Sequence, residues 1–149
     1  MAFGAPSLKG RALRLLAQRE HSRVELERKL AKYEEEPGTL AKALDELQAR
    51  DFQSDARVVQ SVLHQRAGRM GAMRLRQELQ QKGIDAEAIA GAMDQLKDTE
   101  LERAREVWRR RFGQAPADAA ERARQTRFLL ARGFSGEVVR RALHLSDEP

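Results

Sequence analysis

Residues 77–89 read QELQQKGIDAEAI, and residues 127–139 read RFLLARGFSGEVV. The second stretch rewrites the first fifty residues on. Leu79 answers Leu129, Gly83 answers Gly133, Ile84 answers Phe134, Asp85 answers Ser135, Glu87 answers Glu137, and Ile89 answers Val139. The glycine follows the last apolar position of a helix, where a residue without Cβ enters the left-handed conformation at little cost. The apolar residue after it is free to tuck into a core. Asp85 and Ser135 are N-caps for the next helix, and Glu87 and Glu137 favour its positive end. The phrase is therefore a helix stop, a hydrophobic anchor and a helix start.

The repeat continues upstream. LERKLAKYEEEPGTLAKALDEL (26–47) precedes LRQELQQKGIDAEAIAGAMDQL (75–96) by 49 residues, and Leu26, Leu30, Leu40, Leu44 and Leu47 fall on Leu75, Leu79, Ile89, Met93 and Leu96. Three units of about fifty residues fill the chain, the pattern of a solenoid-like array. We place them at 1–54, 55–102 and 103–149, each a three-helix piece.

In the first unit, residues 10–20 put Leu13, Leu16 and Ala17 on one face, with Leu15 flanking it. Ser22 and Glu25 form a capping box for a helix over 23–33, and Pro37 is placed in the first turn of the third helix. The remaining helices are expected at 55–67, 72–82, 86–97, 103–112, 117–132 and 136–145. KYEEEPG (32–38) has no glycine directly after Tyr33, so the first unit's middle turn should differ in shape.

Composition agrees with an all-α reading. Valine and isoleucine total nine and threonine three, whereas alanine, leucine, arginine and glutamate abound. Alanine supplies 23 of the 61 apolar residues, which is thin for one compact core and suits several small ones. The expected architecture is three tandem three-helix repeats in an elongated, curved array. Cysteine is absent, which excludes disulfides and thiolate metal sites. MAFGAPSLKG has no apolar run fit for a signal sequence, and no window approaches the ~18 apolar residues of a membrane span, so a soluble, cytoplasmic protein is expected.

Nothing in the chain resembles a catalytic constellation. His21, His64 and His144 form no HExxH or i, i+4 ligand pair and read as surface or packing residues. Ser22, Ser54 and Ser135 read as caps, and GRMG (68–71) as a plain inter-helix loop. No cofactor or metal is implied, and an enzyme is not expected.

Charge carries more information. The net charge is +5, and 22 of the 28 basic residues are arginine, whose planar fork suits phosphate and carboxylate. Residues 1–54 sum to +1, residues 55–103 to zero and residues 104–149 to +4. RAREVWRRRFG (103–113) holds five arginines around Val107 and Trp108, which read as core anchors. Consecutive Arg109, Arg110 and Arg111 cover about 200° of helix surface and cannot all be buried. Together with Arg105, Arg122, Arg124, Arg127, Arg132, Arg140 and Arg141 they form a C-terminal partner- or DNA-binding candidate. Arg66, Arg69, Arg74 and Arg76 form a second patch in the middle unit. The three-helix units evoke helix-turn-helix readers, but AEAIAGAMDQL is small and acidic, unlike a recognition helix.

Taken in order, LKGRALRLLAQREHSRVELERKL, LRQELQQKGIDAEAIAGAMDQL and RRRFGQAP with QTRFLLARGFSGEVVRRAL resemble the bacterial regulatory protein family RecX over residues 8–143. REHSRVEL, the QKGI and ARGF turns and RRRFG are its most specific pieces; KYEEEPG departs from the pattern within a loop. The resemblance implies a curved, monomeric, non-enzymatic array that binds the RecA recombinase filament on single-stranded DNA and lodges in its helical groove. It would thereby restrain filament growth, ATP hydrolysis, strand exchange and the SOS coprotease activity. Two other readings stand beside it: a general nucleic-acid-binding array competing for DNA, and a protein scaffold without DNA contact.

Overall fold

A computed structural model describes residues 5–146. Among them the elements are α1 (Leu8–Gln18), α2 (Arg23–Leu30) with a 3-10 turn at Ala31–Tyr33, α3 (Thr39–Ala49), α4 (Asp55–Arg66), α5 (Ala72–Gln81), α6 (Ala86–Lys97), α7 (Glu100–Arg111), α8 (Ala119–Ala131) and α9 (Gly136–Ser146). No strand occurs among the described residues, and none of their helices is long and apolar enough to cross a membrane. The fold is all-α.

Three separate cores divide the helices by threes. Ala12, Leu26, Leu30, Leu40, Leu44 and Leu47 form the first. Val58, Val62, Leu75, Leu79, Ile84, Ile89 and Leu96 belong to the second, and Ala104, Val107, Leu129, Phe134, Val139 and Leu143 to the third. The anchors Ile84 and Phe134 are 5% and 1% exposed, as the repeated phrase required. The chain exposes 9706 Å², against roughly 7,700 Å² for a compact monomer of its mass, so the array is elongated.

The caps behave as read. Ser22 and Glu25 close a reciprocal capping box, the Asp85 carboxylate accepts from the Ala88 N–H at 2.7 Å, and the Ser135 hydroxyl accepts from Val138 at 3.2 Å. Gly83 and Gly133 sit at φ 76° and 94°. Four local readings are corrected. Helix α1 begins two residues early on a Ser7 cap and buries Ala12, while Ala17 is exposed; the small side chain lets α1 lie close against α3. Helix α2 stops at Leu30 and tightens into the 3-10 turn. Pro37 lies outside α3: with Gly38 at φ 89° and Thr39 N–H bonded to Glu36 C=O at 3.2 Å, it forms a type II turn. Helix α7 starts at Glu100, three residues ahead of expectation, because Glu100 is drawn into a contact with α5.

That contact belongs to a joint made twice. The starts of α2 and α5 are each held by the next unit's glycine turn on one side and by that unit's first helix on the other. Between units one and two, Ser22 donates its hydroxyl to Lys82 C=O, Arg28 donates to Gln81 C=O at 2.8 Å, and Asp55 accepts from Arg23 N–H at 3.0 Å. Between units two and three, Gly71 N–H reaches Arg132 C=O at 2.7 Å and Met73 N–H reaches Gly133 C=O at 3.2 Å. Here Arg74 donates to Ala131 C=O at 3.0 Å, and Glu100 accepts from Ala72 N–H at 3.0 Å. Orphan N–H groups of a helix start are thereby satisfied from outside the unit. Gln53 donates to His21 C=O at 3.2 Å and to the Asp55 carboxylate at 2.9 Å, and Arg103 donates to Met70 C=O at 2.7 Å, completing the two grips. The same kind of grip recurs at both joints, as the units of a curved repeat array stack on their neighbours. Gly38, in KYEEEPG, has nothing within 4 Å of its would-be Cβ, so the first unit's turn makes no such close approach.

The first joint also holds a buried histidine. His21, 1% exposed, has Nδ1 3.0 Å from Arg19 C=O and Nε2 3.1 Å from the Lys29 ammonium; burial foremost pushes its pKa down. Burial raises the Glu25 carboxyl, but Arg19, the Ser22 N–H and Lys82 together outweigh it and hold the group at about 2.

Candidate partner and nucleic-acid interface

Helix α7 ends in the arginine run because residues 109–111 lie past its last core position, Val107. Arg109 and Arg110 are 63% and 71% exposed and share the carboxylate of Glu106. Trp108 is half-buried against the third core and donates its indole N–H to Gln125 at 2.8 Å. Just beyond, Phe112 and Phe128 meet edge to face, with ring centres 5.3 Å apart. The Arg111 guanidinium stands 5.6 and 5.3 Å from these two rings, Arg124 stands 5.6 Å from Phe112, and Arg132 stands 5.0 Å from Phe128. Each ring face attracts the cations and holds them in place.

Arg132 carries this cluster across the second joint, donating to Arg69 C=O at 3.2 Å. Arg74 lies beside it on Ala131 C=O, and Arg66 pairs with Glu78 at 3.1 Å. Arg66, Arg74, Arg132, Arg111 and Arg124 therefore trace one basic strip over two units, with Arg69 meeting it through its backbone carbonyl. The sequence reading treated these as two patches, because the contact joining them spans 63 residues.

The other candidates fall elsewhere. Arg76 is two residues from Arg74, about 200° round the helix, and lines a groove with Asp94 and Val138. Arg105 is half-buried, and its Nε is enclosed without a hydrogen-bond partner. Arg122, Arg127, Arg140 and Arg141 are exposed on α8 and α9. Arg103, part of the same run, donates to Ala67 and Met70 carbonyls and to Glu100, so it is a joint residue. The GRMG loop is thereby engaged within the protein, with Gly71 N–H committed to Arg132. Sequence reasoning passed over Phe112 and Phe128 as ligand-side groups; the only local signal was an aromatic residue beside an arginine at RRRF and RF.

Comparison with known proteins follows the same three-part division. Residues 9–47, 54–93 and 98–143 match the family models for the first, second and third three-helix domains of RecX. The chain is 61% identical over 149 residues to the regulatory protein RecX of Leptothrix cholodnii, covering 99% of this chain and 95% of that one. It is 46% identical over 142 residues to the regulatory protein RecX of Ralstonia pickettii, covering 95% and 89%. The crystal structure of RecX from Lactobacillus salivarius superposes with a TM-score of 0.81 at 19% identity, covering 94% of each chain, which shows the shared fold.

Proposed function

The chain belongs to the RecX family of regulatory proteins, and from that premise we propose that it binds the filament formed by the RecA recombinase on single-stranded DNA. It lies in the filament's helical groove as a monomer in the cytoplasm and restrains ATP hydrolysis, strand exchange and the SOS coprotease activity. It acts by occupancy, without a catalytic step. The observation that carries this reading is the 61% identity to a regulatory protein RecX across 99% of the chain. The curved array supports it, since a long surface that touches several successive protomers gains avidity for filament over free recombinase.

A second reading is favoured by the aromatic-arginine cluster at Phe112 and Phe128. Arginines held over rings suit direct phosphate and base contact, and the protein would then compete for bare DNA. Titration against labelled single-stranded DNA, bare and RecA-coated with a slowly hydrolysed nucleotide, separates the two. Tight, salt-resistant binding to the coated strand with weak binding to bare DNA is expected. Equal binding to both, collapsing as salt rises, would replace the filament reading with the second. Converting Arg109, Arg110 and Arg111 together to alanine should weaken filament binding and flatten its salt dependence. Binding unchanged at every salt concentration would remove these three from the interface.

A further inference from the structure

The second joint carries an apolar surface that a phosphate-binding strip does not use. Met73, in the first turn of α5, is 61% exposed, and Leu130, near the end of α8, is 45% exposed. Single exposed apolar residues are ordinary, but these two line the same hollow. Met73 stands as a ridge between two depressions. On one side is a groove of about 730 Å³ between α5, α6 and the start of α9, lined by Ile84, Ile89 and Met93. On the other is a hollow of about 510 Å³ lined by Met70, Leu130 and Arg74.

The rims are basic. Arg66 and Arg74 border the smaller hollow, and Arg76 and Lys97 border the larger. Of the nearby carboxylates, Glu78 is paired with Arg66, and Glu100 with Arg103 and the Ala72 N–H; that leaves Asp94 against Arg74, Arg76 and Lys97. A sugar-phosphate chain offers nothing for the apolar lining. A second copy of this chain, at +5, is a poor electrostatic match for a basic rim. A protein segment with an apolar face and flanking carboxylates satisfies both features, in the manner of a helix laid into a groove.

We infer that this two-part groove seats a short, acidic, amphipathic helix of the protein partner. Its apolar face covers Met73, Met93 and Val138, and its carboxylates meet Arg74, Arg76 and Lys97. This rests on the filament reading, with RecA as the source of the helix.

The test uses the full chain with Met73→p-benzoylphenylalanine, irradiated with RecA filaments on single-stranded DNA, with co-sedimentation read from the same sample. The expected adduct is with a carboxylate-rich RecA peptide. A second variant, Ala90→Trp, fills the groove from an exposed position on α6. It should lower filament affinity at least tenfold, with thermal unfolding and bare-DNA affinity unchanged. An adduct with DNA, an adduct with a second copy, or no adduct from a chain that co-sediments would overturn the inference, as would undiminished binding by Ala90→Trp. A chain that does not sediment with filaments overturns the filament reading and this inference with it.

Discussion

Gly133 shows how one residue can meet two demands, of which sequence reveals one. Its φ of 94° suits a helix stop, and that much is legible from its place after an apolar helix end. The second demand comes from the neighbouring unit: a Cβ here would lie 2.4 Å from the Cβ of Arg74, and one at Gly83 would lie 2.4 Å from that of Val24. No local pattern discloses a contact with a residue 59 positions away. Gly133→Ala should therefore cost more than the ~1–3 kcal/mol of a strained backbone alone, since the joint must also open. Gly91, within α6, has nothing within 4 Å of its would-be Cβ. Gly91→Ala should stabilise by about 0.5–1 kcal/mol. Urea unfolding of both variants checks the contrast, and equal effects would contradict it. His21 tests the first joint similarly. It faces the Arg19 carbonyl and guanidinium at the end of α1 and Glu25 and Lys29 on α2, and its folded pKa lies below 6.5. Between that folded value and 6.5 the unfolded chain binds the extra proton, so stability is complete above about 6.5 and falls as pH drops through this window. Unfolding free energies measured at pH 7.5 and 5 should differ more for the native protein than for His21→Gln; identical slopes would show that the ring does not titrate there.

At the level of elements, the sequence announces helices and their caps well because both depend on neighbours within four residues. It fails where an element answers to something distant. Pro37 reads as a first-turn proline, yet with Gly38 it makes the turn that replaces the docking glycine of the later units. Gln125 occupies the position of Leu75 in the preceding unit and is 2% exposed. It is satisfied by the Trp108 indole and by Gln114 C=O at 3.2 Å, so a repeat pattern alone would not explain a polar residue there. Helix α7 begins at Glu100 for the same kind of reason. That carboxylate is 9% exposed and bridges the start of α5 to Arg103. Removing it leaves a largely buried guanidinium without its anion, at a cost of up to about 3–5 kcal/mol. Glu106 also binds two arginines, but at the surface, where such pairs contribute about 0–1 kcal/mol. Thermal or urea unfolding should find Glu100→Ala strongly destabilised and Glu106→Ala close to native. Comparable losses would mean that the joint is not held by this carboxylate.

For the molecule as a whole, the repeated phrase is as much a connector as a turn, and the two connectors differ in chemistry. The second joins backbone to backbone, through Gly71 N–H on Arg132 and Met73 N–H on Gly133, beside a Glu100–Arg103 pair largely shielded from solvent. The first works mainly through side chains, with Ser22, Arg28, Asp55 and the ion pair of Lys82 with Glu25 at 3.6 Å. Ion pairs at a partly exposed surface weaken as salt screens them, whereas backbone hydrogen bonds change little. Amides in the first turn of a helix ordinarily exchange fast, since nothing inside the helix accepts their protons. Here the Gly71, Met73 and Arg23 amides are bonded only across joints, so their exchange reports joint opening directly. Hydrogen exchange should find all three protected. Raising salt should speed Arg23 well before Gly71 and Met73, while the intra-unit amide of Ile84, bonded to Leu79, stays unchanged. Parallel acceleration of all three would mean that the array bends equally at both joints. Acceleration of Arg23 alone would make units two and three one rigid body, with the basic strip and the apolar groove fixed upon it, and would leave the first unit to adjust its angle to whatever surface the others have seized.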